Sequence, residues 1–88
     1  MPRFEYGSQM AGDLKRMRQR GADIRALSEA LEVLASGRSL PASYQDHDLE
    51  GKWSGCRECH IESDWLLIYR HQPQMITAVR TGTHQDLF

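Results

Sequence analysis

Apolar residues recur at helical spacing in the first half of the chain and in runs of strand length near its end. Met10, Leu14 and Met17 share one helical stripe, with Lys15, Arg16, Arg18 and Arg20 around them. This predicts a helix from Ser8, as N-cap, to Arg20, where Gly21 interrupts. Asp23 can cap a second helix, on which Ile24, Leu27, Leu31 and Leu34 form the apolar face. Gly37 and then Pro41 stand where that helix should have ended. The short join suggests that the two helices pack as a hairpin.

After Pro41 the pattern is loop-like as far as Gly55, anchored by Tyr44, Leu49 and Trp53. Then the period changes. Trp65-Leu66-Leu67-Ile68-Tyr69 and Met75-Ile76-Thr77-Ala78-Val79 read as strands, with a turn at His71-Gln72-Pro73-Gln74. Cys56 to Ile61 is a candidate third strand, and Phe4-Glu5-Tyr6 a short further one. The expected class is α+β: two N-terminal helices packed on a three- to four-stranded antiparallel sheet, in a single domain over residues 1–88. The helices would cover one sheet face and leave the other partly open.

Composition narrows the class. Charged residues make up 26% and hydrophobic residues 40%, an ordinary globular balance. No apolar run approaches the ~20 residues of a membrane span. No apolar run follows Arg3 as in a secretory signal, so a cytoplasmic protein is expected. Net charge is −1, but residues 1–40 hold seven Lys/Arg against five Asp/Glu, while residues 41–88 hold four against seven. All four histidines lie in the second part.

Cys56-Arg57-Glu58-Cys59-His60 has the C-x-x-C-H form of a haem attachment site, with Met75 available as a second ligand. The strand-like sequence that follows and the missing export signal argue against haem. Zinc on Cys56, Cys59 and a histidine is chemically adequate, but residues three apart on a strand point to opposite faces. Two reduced, half-buried cysteines are the simpler reading. His47, His60, Asp64 and His84 suggest proton transfer near neutrality. RNA cleavage without a metal needs a base for the 2′-hydroxyl, an acid for the departing 5′-oxygen and a cation for the phosphate; Arg57 or Arg80 could serve as the last. Lys15, Arg16, Arg18, Arg20 and Arg25 offer either a solvated helix face or phosphate contacts. Phe88 offers a stacking surface for a base.

Leu40-Pro41, Tyr44, Asp46-His47, Leu49, Gly51, Trp53, Gly55, Arg57, His60, Asp64-Trp65, Leu67-Ile68-Tyr69, Arg80-Thr81-Gly82-Thr83-His84 and Leu87-Phe88 together resemble the YafQ-like branch of the RelE toxin superfamily. Ser8 and Asp13-Leu14-Lys15 also fit. Cys56, Cys59 and Ser63 stand where an aromatic, a small residue and a proline are usual, and Glu58 where a shorter Asp is common. The resemblance implies a microbial ribonuclease fold and messenger RNA cleavage, usually in the A site of the small ribosomal subunit. It implies a cognate antitoxin and no cofactor. It points to His84 as general acid, His47 or His60 as base and Asp64 as assistant, with Arg80 neutralising phosphate and Phe88 orienting the nucleotide. A RelE-like fold that only binds protein or nucleic acid is the alternative.

Overall fold

The computed structural model of the chain describes residues 3–88, so Met1 and Pro2 of the N-terminal reading lie outside the described residues. The apolar run from Trp65 opens the central strand, β4 (Trp65–Gln72). A strand facing solvent on one side would alternate apolar with polar residues; this one does not, because both of its faces are covered. Trp65, Leu67 and Tyr69 enter one core with Met10, Met17, Leu27 and Leu34. Leu66 and Ile68 enter a second, smaller core on the opposite face with Cys56 and Leu87.

β4 pairs antiparallel with β3 (Arg57–Glu62) and with β5 (Met75–Gly82), as the hairpin signals predict. The strands run further than the apolar residues alone suggest, and the turn shrinks to Pro73-Gln74. The sheet is larger than expected: five strands in the order β1-β5-β4-β3-β2, with mixed pairing. β1 (Arg3–Tyr6) lies parallel to β5, and the two-residue β2 (His47–Asp48) pairs antiparallel with β3.

Helix α1 (Met10–Gln19) buries Met10, Asp13 and Met17. Its N-cap is Gln9 rather than Ser8, with no side-chain cap. The chain instead leaves β1 through Gly7, whose N–H donates to Ala78 O at 2.7 Å and where a Cβ would stand 3.1 Å from Val79 O. Close backbone approach to β5 therefore sets where α1 starts. Helix α2 (Ile24–Ala35) begins as read, with Asp23 Oδ1 accepting from Arg25 N at 3.1 Å. Gly37 follows it at φ 81°, in the left-handed region that glycine enters without penalty. Each helix makes its main contacts with strands, α1 with β5 and α2 with β3 and β5, rather than with the other helix. A one-turn helix, α3 (His84–Leu87), closes the chain. No helix among the described residues is long and apolar enough to cross a membrane.

Candidate active site

Strand alternation decides which side chains of β2 and β3 meet. Glu58 and His60 lie opposite Ile68 and Leu66, on the face turned away from α1 and α2, and His47 joins them from β2. His47 Nε2 is 2.9 Å from Glu58 Oε2, and its Nδ1 is 3.2 Å from the Asp48 carbonyl oxygen. Glu58 is 5% exposed, and its second oxygen is buried with no hydrogen-bond partner among the described residues. A carboxylate held this way loses hydration that only a ligand or a neighbouring donor restores.

The turn between β3 and β4 presents Asp64, and Thr83 starts α3 so that His84 falls beside it. His84 Nδ1 is 2.9 Å from Asp64 Oδ1, and the His84 backbone N–H donates to the same oxygen at 3.3 Å. The side-chain and then the backbone hydrogen bond from His84 hold the Asp64 carboxyl below its usual 3.8. The ionised carboxylate fixes the tautomer with the proton on Nδ1, which leaves Nε2 for chemistry. The rings of His60 and His84 are 6.1 Å apart. From there aromatic rings continue along the face, with Phe88 6.3 Å from His84 and Trp53 6.4 Å from Phe88. Phe88 is 61% exposed, and Lys52 Nζ lies 5.6 Å from the Trp53 ring centre.

All four predicted proton-transfer residues and Phe88 thus share one face. The cations are distributed differently. Arg57 points to the helix side, where its Nε donates to Asp46 at 3.0 Å and its Nη1 to Asp48 at 2.6 Å. The sequence offered Arg57 for the phosphate; alternation puts it on the face opposite to Glu58. Arg80 commits Nε and Nη2 to Asp13, at 2.8 and 2.9 Å, and Arg16 touches the same carboxylate at 3.3 Å. Lys15 and Arg18 are exposed on α1. Cys56 and Cys59 belong to different cores, and burial pushes the Cys59 thiol up to about 12. A metal is better served by His47, Glu58 and His60, whose ligand atoms lie within 4.8 Å of one another. Sequence reasoning gave no role to Glu58 and treated Trp53 only as an anchor. The parity of positions 58 and 60 was the available signal for Glu58.

Residues 2–88 match the model of the family described as "Bacterial toxin of type II toxin-antitoxin system, YafQ". The chain belongs to the YafQ toxin family. It is 40% identical to the mRNA interferase toxin YafQ of Escherichia coli K12 over 86 residues, which is 97% of this chain and 94% of that protein. The crystal structure of YafQ from E. coli BL21(DE3) superposes with a TM-score of 0.96 at 36% identity, covering 100% of this chain and 99% of that one. YafQ in the crystal structure of the E. coli DinJ-YafQ complex gives a TM-score of 0.94 at 37% identity, again with 100% and 99% coverage. The YafQ likeness therefore includes the sheet and the α3 turn that carry the histidine face.

Proposed function

We propose that this chain cleaves messenger RNA by transphosphorylation, acting as the toxin partner of a cognate antitoxin in the cytoplasm. The observation that carries the reading is the pair of imidazoles, His60 and His84, 6.1 Å apart on an open face, with Asp64 fixing the tautomer of His84. His60 is the base. Both ring nitrogens of His47 are engaged by oxygens, whereas no hydrogen bond holds His60 among the described residues. His60 takes the 2′-hydroxyl proton, that oxygen attacks phosphorus, and His84 protonates the departing 5′-oxygen. The products are a 2′,3′-cyclic phosphate and a free 5′-hydroxyl. His47 and Glu58 hold the strand edge beside the base. Phe88 and Trp53 offer faces for stacking the flanking nucleotides. Arg80 is 16% exposed and bonded to Asp13, so it supports phosphate as a positioned charge rather than as a mobile side chain.

Cleavage on the ribosome is proposed from the family likeness and not from net charge. At a net charge of −1 it has little general attraction for RNA, so Lys15 and Arg18 on α1 would act as local contacts to ribosomal RNA in the A site. The partner is proposed from the family and from the DinJ-YafQ complex formed by the E. coli relative.

The test is cleavage of a defined transcript, free and on programmed ribosomes, by the wild-type chain and by His60→Ala and His84→Ala. Cyclic-phosphate ends from the wild type, with rates lowered about 100- to 10,000-fold in each variant, support the reading. A folded wild-type chain that binds RNA or antitoxin and cuts in neither setting replaces it with the binding-module alternative.

A further inference from the structure

The four-residue helix α3 carries His84 at its start and is followed by Phe88. One helical turn does not hold itself in water, because nucleation fixes several residues for a single hydrogen bond. Its placement therefore depends on side chains: Leu87 sits in the second core, His84 meets Asp64, and the remaining polar anchors converge on Asp86. Thr83 N–H donates to Asp86 Oδ2 at 3.0 Å, and Asp86 N–H donates to Thr83 Oγ1 at 3.2 Å. From the end of α1, Arg20 closes a two-pronged fork on the same carboxylate, Nη1 to Oδ2 at 2.6 Å and Nη2 to Oδ1 at 2.9 Å. Gly82 leaves room for it, since a Cβ there would stand 3.0 Å from both Asp86 Cβ and Oδ2. The same helix grips the chain a second time, because Asp13 holds Arg80 and the Thr81 N–H. Helix α1 thus fixes the segment on both sides of His84.

We propose that Arg20 is a positioning residue for the cleavage reaction, acting through Asp86 to set where His84 and Phe88 stand over the substrate. The inference rests on the ribonuclease reading above. A planar fork fixes orientation as well as charge, which a lysine ammonium does not. If Arg20 served RNA as a simple phosphate contact, its loss would weaken binding and alter salt dependence. As a positioning group it acts on turnover.

The experiment compares the full chain with Arg20→Gln, Arg20→Lys, Asp86→Asn and the Arg20→Gln/Asp86→Asn double variant. Each carries a thermal melt, steady-state cleavage and amide hydrogen exchange by NMR. Arg20→Gln and Asp86→Asn should each lower kcat about 10- to 100-fold, the scale for misplacing a reacting group by up to about 1 Å, with little change in KM. The double variant should be no worse than either single one, and Arg20→Lys should recover only part of the loss. Amides of residues 84–88 should exchange faster in Arg20→Gln while the melt stays close to wild type. Wild-type kcat in Arg20→Gln, a loss confined to KM, or losses that multiply in the double variant would each overturn the proposal. If the wild-type chain cuts no RNA, the ribonuclease reading fails separately, and unchanged exchange at residues 84–88 in Arg20→Gln would still overturn the clamp.

Discussion

Replacing Asp13 by alanine should cost this domain a large part of its stability. The carboxylate is 2% exposed and takes two hydrogen bonds from Arg80, one from the Thr81 backbone N–H at 3.2 Å and a longer one from Arg16. β1 covers β5 only from Met75 to Ala78, so beyond that point Asp13 stands in for the missing strand neighbour. Asp13→Ala leaves the Arg80 charge and the Thr81 N–H without partners. Removing one member of a buried ion pair costs about 3–5 kcal/mol. Arg80 keeps 16% of its side-chain exposure, which places the expectation at the low end, about 3 kcal/mol. At roughly 4–8 °C per kcal/mol for a domain of this size, the melting temperature should fall by about 12–24 °C.

Urea unfolding followed by tryptophan fluorescence gives the free energy directly. Arg16→Ala is the control: its side chain is 42% exposed, so its ion pair should contribute less than about 1 kcal/mol. An Asp13→Ala variant no less stable than Arg16→Ala would refute the argument. pH gives a second check. Burial pushes the Asp13 carboxyl up, but the Arg80 and Thr81 hydrogen bonds and the charges of Arg80 and Arg16 outweigh it, so it sits below its usual 3.8. A depressed folded value means that the stabilisation is complete above pH 3.8 and is lost as pH falls through the lower folded value. Asp13→Asn should remove that part of the acid transition.

Three further outcomes follow from the site. Asp64→Asn should lower kcat about 10- to 100-fold by releasing the His84 ring; because Asp64 titrates below 3.8, the pH–rate profile of the wild type above that value should owe nothing to it, and an acid limb near neutrality that vanishes in Asp64→Asn would contradict the assignment. Zinc should inhibit cleavage and a chelator should restore it, because an ion seated on His47, Glu58 and His60 takes the lone pair that His60 needs as a base; stimulation by zinc would require another role for the cluster. Phe88→Ala should weaken RNA binding by about 1–3 kcal/mol in a direct binding assay, while the melt of this exposed terminal residue barely moves; unchanged binding would remove its stacking role.

The parts of the fold that were legible in the sequence are those whose signals are local. Asp23, the Ile24–Leu34 stripe and Gly37 define α2 from its own residues, and the Pro73-Gln74 turn joins two apolar runs into a hairpin. What was missed depends on distant partners. β1 finds β5 from the other end of the chain, in parallel, with no turn to announce it. α3 is too short to show a period, although Thr83 followed by Asp86 has the spacing of a capping box. The histidines stood out by residue type. The cations were ambiguous because a guanidinium reads alike in sequence whether it faces solvent or a buried aspartate. Alternation from His60 separates Glu58 from Arg57, but only once the strand is located.

That separation shows how so small a domain keeps a reactive surface in place. Apart from His60 on β3, its catalytic candidates sit on short elements: a two-residue strand, a turn and a single helical turn. None of these is stable alone. Behind them lie the doubly covered β4 and α1, and charged forks add to the apolar contact of Leu87 with Leu66 and Ile68 in linking the two layers. Asp13 with Arg80 and Arg20 with Asp86 each form a two-pronged fork between a framework element and the strand or loop beside a candidate residue, and Arg57 divides its guanidinium between Asp46 and Asp48. Apolar packing tolerates small rotations, whereas a bidentate fork specifies an orientation. On this view the basic residues on and just after α1 divide by partner. Lys15 and Arg18 make no ion pair among the described residues, while Arg20, equally exposed, is committed to Asp86 beside the proposed cleavage residues.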